Sequence, residues 1–262
     1  QCVDRMRKGL SYLLSDSQAR SAFQLANHAI LLQQVRASRE ARSVSFDSHN
    51  KKLIFSEQYQ DVDLENIPKG KGNWRAFQIA FLLASIRSAA DGTDDDRDTV
   101  ELIWFPTGGG KTEAYLGLAA FSLFMRRLRD PGDAGVHVIM RYTLRLLTAQ
   151  QFQRASALIC AMEYLRKDHE EELGGCPFSI GVWLGSDNTP NTRSEARKAL
   201  QSLARLGSRT QNPFVITKCP WCNAEMGPVK AKMPKNLKAV GYERSEETVV
   251  LRCPDPRCCF SS

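Results

Sequence analysis

The sequence predicts an α/β protein in which a mostly parallel sheet is flanked by helices. A helical region precedes this sheet, and a small cysteine-rich segment follows it. Three observations lead to this prediction: short apolar runs alternate with helical patterns, a glycine-rich turn separates one such run from a helix, and two pairs of closely spaced cysteines come later. Such alternation is typical of βαβ units, whose parallel strands are covered on both faces by helices.

The composition, with 42% hydrophobic and 25% charged residues among 262, is typical of a globular protein with one or two domains. No run of about 18 apolar residues occurs, so no membrane span is predicted. Gln1 is not an initiator methionine and no apolar signal core follows it, which we interpret as an internal start within a longer protein. The net charge of +7 comes from residues 191–262. This excess suits an anionic polymer such as DNA or RNA, and equally suits ordinary scatter.

The N-terminal part, residues 1–70, is predicted to be a helical region followed by a linker. Apolar residues recur at helical spacing over residues 4–39. Residues 43–72 are polar and rich in breakers, which predicts an irregular loop. A further helix is predicted over residues 74–90. The acidic stretch at 91–98 indicates a solvated loop, because its spacing does not match a calcium-binding loop.

Residues 71–210 contain the alternating pattern and are predicted to form the α/β domain. Short apolar runs predict buried strands at residues 100–105, 136–140 and 178–184. Each is followed by a helical pattern, over residues 111–129, 144–167 and 191–206.

The turn after the first predicted strand has the pattern of a phosphate-binding loop, Pro-Thr-Gly-Gly-Gly-Lys-Thr at residues 106–112. Glycines let backbone N–H groups approach a polyphosphate, and the helix that begins there adds the positive end of its dipole. The lysine can reach the β- and γ-phosphates, and the final threonine can ligate Mg²⁺. The sequence therefore predicts that ATP and Mg²⁺ bind to Thr107, Gly108, Gly109, Gly110, Lys111 and Thr112, with Lys111 and Thr112 in catalytic roles.

This loop has Phe105 where the strict pattern has glycine, and it resembles the Pro-Thr-Gly-x-Gly-Lys-Thr form of superfamily 2 helicases. The resemblance implies a RecA-like P-loop NTPase lobe. It also implies that Gln78 reads adenine through its amide and that Thr143 and Arg145 grip a nucleic-acid backbone. The alternatives are an exposed polar residue on a helix and a plain second βα unit. The carboxylates that such enzymes use for Mg²⁺ and water are not recognisable, and we expect them beyond residue 262.

Two cysteine pairs with 30 residues between them lie in the predicted last segment, residues 211–262. With an ATP site and no signal peptide, the chain is predicted to be cytoplasmic, where thiols stay reduced and such pairs indicate metal rather than disulfides. The sequence therefore predicts a zinc ribbon with the ligands Cys219, Cys222, Cys253 and Cys258, and with Cys259 competing for the fourth position. Lysines between the pairs suit a phosphate-facing loop and a solvated loop equally: Lys230, Lys232, Lys235 and Lys238.

The helical N-terminal segment, the phosphate loop, the Arg-Tyr-Thr-Leu-Arg stretch at 141–145 and the ribbon occur together here. Over most of the chain, this combination resembles the DrmA helicases of the DISARM anti-phage system. The resemblance implies an ATP-dependent superfamily 2 helicase or translocase in the bacterial cytoplasm, acting on phage or other foreign DNA with the partner subunit DrmB. The alternative is a zinc-ribbon nucleic-acid-binding module whose nucleotide site is a switch rather than a motor.

Overall fold

The computed structural model describes residues 1–37, 39–104, 109–142, 145–185, 189–229 and 239–261, without the side chains of residues 145–148. Within these ranges the chain is mostly helical. The helices are α1 (Cys2–Ser15), α2 (Ser17–Ala37), α3 (Ala76–Ala90), α4 (Lys111–Arg129), α5 (Arg145–Asp168), α6 (Glu170–Leu173) and α7 (Arg193–Leu206), with a 3-10 helix at Gly207–Arg209.

Short antiparallel pairs of strands account for the sheets in the described ranges. Strand β1 (Val44–Asp47) pairs with β2 (Lys52–Phe55), with Val44 opposite Phe55. The later pairs are β3 (Gly227–Pro228) with β4 (Ala239–Val240), and β5 (Tyr242–Arg244) with β6 (Val249–Leu251).

The predicted parallel sheet, and with it the RecA-like P-loop NTPase lobe, is wrong. The described residues of the three predicted strands pair with no neighbour, and the sheets of the described chain are two-stranded and antiparallel. Val100, Trp104 and Ile139 are 92%, 88% and 87% exposed. An apolar run reports only that a segment is hydrophobic, whereas a buried parallel strand also needs neighbouring strands and covering helices.

The helix predictions are closer to the structure. One predicted helix is broken in two, and one predicted loop contains a hairpin. Helices occur at each of the four later predicted positions, but the first predicted helix is divided at Asp16, whose backbone is extended. The Asp16 carboxylate accepts a hydrogen bond from the Ala19 N–H at 2.9 Å and so caps the second half. The predicted irregular loop contains the β1–β2 hairpin, where Lys51 has a positive φ of 51° in the connecting turn.

One compact unit of the chain contains Gln1–Val35, Leu64–Leu144 and Ala155–Ile180. In it, α1 packs against α3, α3 against α4, and α4 against α6. Large apolar side chains fill its core, among them Leu82, Ile86, Leu116, Phe121, Phe124 and Met162. Gly9 lies where α1 approaches α3 so closely that a Cβ there would be 1.8 Å from the Leu83 carbonyl oxygen.

The second compact unit contains Arg36–Asp63, Arg145–Arg154 and Gly181–Ser262. Helix α7 begins with a capping box: the Thr192 hydroxyl accepts from the Glu195 N–H, and the Glu195 carboxylate accepts from the Thr192 N–H, both at 3.1 Å. The helix packs against β5 and β6 and buries Leu200 and Leu203.

We expect Gly9→Ala to lower the free energy of unfolding by about 1–3 kcal/mol, because the new methyl group would force α1 away from α3. In a helix free of such contacts, the same change would stabilise by up to about 1 kcal/mol. Gly92→Ala is the control, since a Cβ at Gly92 meets nothing within 4 Å. Denaturant unfolding measures both, and equal stabilities would contradict the close approach of the helices.

Candidate functional site

The four predicted metal-ligand cysteines meet at one place. Their sulfur atoms all lie within 4.8 Å of one another, and all four residues are buried. The Sγ atoms of Cys222 and Cys253 are 3.3 Å apart. Cys259, the predicted competitor of Cys258, is half-buried and does not belong to this group. The described residues therefore contain a four-sulfur cluster that could hold one metal ion.

A tight turn brings the first pair of thiols together. The Cys219 N–H donates to the Ala224 carbonyl at 2.8 Å, and the Asn223 N–H donates to the Cys219 carbonyl at 3.0 Å. Asn223 has a φ of 58°, a left-handed conformation that asparagine tolerates better than most side chains. This turn holds Cys219 and Cys222 on the same side of the chain.

The second pair is held by a turn around Asp255, a buried carboxylate between Pro254 and Pro256. The Cys258 N–H donates to the Asp255 carbonyl at 3.0 Å, and the Arg257 N–H donates to the Asp255 carboxylate at 3.1 Å. The two prolines fix φ on either side and so limit the conformations of this short loop.

The electrostatics of the cluster fit a divalent cation. Shared hydrogen bonds, first of all with Cys219, lower the pKa of Cys222 and raise the pKa of Cys253 and Cys258. One thiolate is thus stabilised by its neighbours, while further deprotonation would place like charges side by side in a buried cluster. A bound cation removes that repulsion, and a set of four sulfur ligands suits Zn²⁺.

Residues that precede the cysteines by more than 150 positions brace the first turn. The Arg36 guanidinium lies over the Trp221 ring at 4.3 Å, and the Asn223 amide donates to the Arg36 carbonyl at 2.7 Å. The Trp221 indole N–H donates to the Tyr59 hydroxyl at 3.2 Å. The sequence prediction missed this bracing, because neither residue spacing nor composition signals contacts between such distant segments.

The described part of the glycine-rich turn, Gly109 and Gly110, is fastened to the start of α3. The Arg75 guanidinium donates to the Gly109 carbonyl and the Gln78 amide donates to the Gly110 carbonyl, both at 2.7 Å. The Gln78 amide oxygen in turn accepts from the Arg75 N–H at 2.8 Å. Gln78, predicted to read adenine, is only 4% exposed, and both ends of its amide are bonded within the protein.

Two observations explain why a glycine is required at position 110. Its φ of 88° lies in the left-handed region, and a Cβ there would approach the Gln78 amide nitrogen to 2.9 Å. Helix α4 begins directly afterwards, at Lys111, and its N-cap residue, Gly110, has no side chain with which to cap it. The Tyr115 hydroxyl donates to the Thr112 hydroxyl at 3.0 Å.

Other residues of the predicted nucleotide and nucleic-acid sites lie outside the described part of the structure. These are Thr107, Gly108, Thr143 and the side chain of Arg145, together with the four lysines between the cysteine pairs. Among the helices that are described, none combines the length and hydrophobicity needed to cross a membrane.

Comparison with known proteins identifies one informative relative. The chain is 32% identical over 270 residues to the DISARM protein DrmA of Bacillus paralicheniformis (strain ATCC 9945a / NCIMB 11709 / CD-2), an alignment that covers 99% of this chain. The chain spans 22% of that relative's length. No protein-family model matches the chain, and no solved structure matches it.

We expect Cys258→Ala to reduce bound zinc well below one ion per chain, because three thiolates leave the tetrahedral set incomplete. Cys259→Ala is the matched control and should retain one zinc ion. Elemental analysis of the purified full-length variants measures the zinc content. Loss of zinc in the Cys259 variant with retention in the Cys258 variant would reverse the ligand assignment.

We expect Gln78→Met to lower the free energy of unfolding by about 1–3 kcal/mol, because it removes two part-buried hydrogen bonds, one to the Gly110 carbonyl and one from the Arg75 N–H. Gln18→Met is the control: its amide makes one exposed hydrogen bond, to the Leu128 carbonyl. Chemical denaturation compares the two. A similarly small change in both variants would show that the turn does not depend on Gln78.

Proposed function

We propose, starting from the relationship to the DISARM protein DrmA, that this chain serves anti-phage defence as part of a DrmA-like protein. We further propose that its glycine-rich turn binds the phosphates of ATP. The alignment with 32% identity covers 99% of the chain and so spans the segments that contain the turn, both helices beside it and the four-sulfur cluster. These three features are the ones on which a nucleotide-dependent, zinc-stabilised protein would rely.

The observation that carries the nucleotide-binding proposal is the way α3 holds the glycine-rich turn. Arg75 and Gln78 occupy the carbonyl groups of Gly109 and Gly110 immediately before α4. The partial negative charge of those carbonyls is thereby balanced next to a helix N-terminus whose N-cap residue, Gly110, has no side chain. Such a terminus favours an anion, and a phosphate group suits it well.

In this proposal, Lys111 contacts the β- and γ-phosphates and Thr112 ligates Mg²⁺ through its hydroxyl, with Thr107 and Gly108 completing the loop. Gln78 keeps the turn in its binding conformation, and its predicted contact with adenine remains a prediction. Zn²⁺ bound by the four cysteines has a structural role, since all four sulfur ligands come from the protein and none of the coordination positions is left for substrate.

The reaction we propose for the longer protein is ATP hydrolysis coupled to movement along DNA, as a superfamily 2 helicase or translocase. Thr143 and Arg145 would then contact the DNA backbone, and the DISARM subunit DrmB would be the protein partner in the bacterial cytoplasm. The carboxylates needed for hydrolysis would come from the part of the longer protein that this chain does not span.

We expect Lys111→Ala to abolish DNA-stimulated ATP hydrolysis in the full-length protein, a loss of at least about 100-fold, because the charge facing the phosphates is removed. Lys8→Ala, which removes an exposed lysine on α1, is the control and should hydrolyse ATP normally. Phosphate release is measured without DNA, with single strands and with duplex. Normal hydrolysis in the Lys111 variant would refute this nucleotide site.

A second candidate function is a zinc-stabilised nucleic-acid-binding module whose nucleotide site acts as a switch. The observation that favours this function is that the four-sulfur cluster and several exposed basic side chains belong to the same unit. These side chains are Lys198, Arg205, Arg209 and Arg244. Bound ATP without hydrolysis under any DNA condition, together with DNA binding that weakens when zinc is removed, would favour this function over the motor.

A further inference from the structure

We propose that Arg42, which is not itself a metal ligand, has two roles at the metal centre. It balances the charge of the zinc-bound thiolates, and it holds the two cysteine turns together. This inference rests on the proposed zinc site and assigns a role to a residue that no sequence pattern connects to the cysteines. Arg42 lies just before β1 and is 213 positions away from Asp255, which it contacts.

The backbone of Arg42 is bonded to the first cysteine turn. Its N–H donates to the Asn223 carbonyl at 2.9 Å, and its carbonyl accepts from the Glu225 N–H at 2.9 Å. These two bonds form a bridge between Arg42 and Ala224, the residue whose carbonyl accepts from the Cys219 N–H. The position of Arg42 is therefore tied to the turn that carries Cys219 and Cys222.

The side chain of Arg42 is bonded to the second cysteine turn. One terminal nitrogen, Nη2, donates to the Asp255 carboxylate at 2.6 Å, and both side chains are almost wholly buried. The Nε–H donates to the Glu57 carbonyl at 3.0 Å, and the guanidinium lies 5.0 Å from the centre of the Phe55 ring. One residue thus links the two turns, through its backbone to the first and its side chain to the second.

The third guanidinium nitrogen, Nη1, is buried and makes no hydrogen bond within the described part of the chain. Cys222 is a sulfur ligand close enough to Arg42 to interact electrostatically with its guanidinium. A buried donor thus belongs to a side chain that lies near a ligand carrying negative charge when zinc is bound.

Zinc with four thiolates retains two net negative charges, which are costly to bury without nearby cations or N–H donors. Asp255 adds a third, and Arg257 and Arg42 are the cations in contact with it. Arg257 is half exposed, whereas Arg42 is buried. Arg42 therefore supplies the positive charge that is least screened by water, and its effect on the sulfur ligands should be correspondingly strong.

The test uses the full-length protein with zinc and compares Arg42→Met, which removes the charge at similar volume, with Arg42→Lys, which keeps it. Zinc affinity is measured by competition with a chromogenic chelator. We expect Arg42→Met to weaken zinc binding by about 10- to 100-fold, and Arg42→Lys to recover most of that loss. Arg39→Met is the matched control, because Arg39 bonds the Gln60 and Asp61 carbonyls instead.

A second readout separates charge balance from mere support of the fold. Alkylation of the zinc-saturated protein is followed cysteine by cysteine by mass spectrometry. A metal-bound thiolate that loses a cationic neighbour becomes more nucleophilic, so Arg42→Met should speed alkylation of Cys222 by about threefold or more relative to Cys219. Equal acceleration at all four cysteines would mean that the site has simply opened, and would overturn the proposal.

Asp255→Asn provides an independent check, because the amide oxygen can still accept from the Arg257 N–H while the ion pair with Arg42 is lost. If Arg42 both links the turns through Asp255 and balances the thiolate charge, this variant should weaken zinc binding, but less than Arg42→Met does, because the guanidinium charge remains. Binding weakened as much as in Arg42→Met would overturn the charge-balancing role, and unchanged binding would overturn the linking role. A parent protein that binds no zinc would refute the metal site itself, whereas normal zinc affinity in Arg42→Met would refute only the role of Arg42.

Discussion

The repulsion among four sulfur atoms within 4.8 Å is the constraint around which the second unit is organised. Two tight turns bring the thiols together, and each turn uses backbone N–H groups to hold its shape. The surrounding segment then supplies what the turns lack, namely the buried guanidinium of Arg42, which pairs with the Asp255 carboxylate of the second turn. The segments on either side of β1 and β2 contact the cysteine turns through Arg36, Arg42 and Tyr59.

The glycine-rich turn in the first unit follows a similar principle at smaller scale. Gly110 has a left-handed backbone conformation that residues with a side chain rarely adopt. Its carbonyl also accepts a hydrogen bond from Gln78 in a neighbouring helix, which approaches too closely to leave room for a Cβ. Because Arg75 and Gln78 belong to the first residues of a helix, their positions are fixed by the packing of α3 against α4. The described end of the turn, Gly109 and Gly110, is therefore held in place by contacts within the protein.

Local patterns in the sequence predicted what local physics determines. Helices with caps, apolar stripes and breakers lie close to their expected positions, and the spacing of the cysteines alone predicted the sulfur cluster. The sheet could not be predicted in this way, because strand pairing depends on neighbours elsewhere in the chain. For the same reason the contacts of Arg42 and Trp221 were missed: their partners lie 213 and 162 positions away.

That long separation has a consequence for the order of events during synthesis. Residues 36–63 leave the ribosome early, yet the partners that fix them include Trp221, Asn223 and Asp255. Closing such a large loop is entropically unfavourable until the cysteine turns exist, so the contacts of Arg36, Arg42 and Tyr59 with those turns form late. For the metal site proposed above, zinc binding and the formation of these contacts would then coincide in one late step, because the fourth ligand, Cys258, is synthesised last.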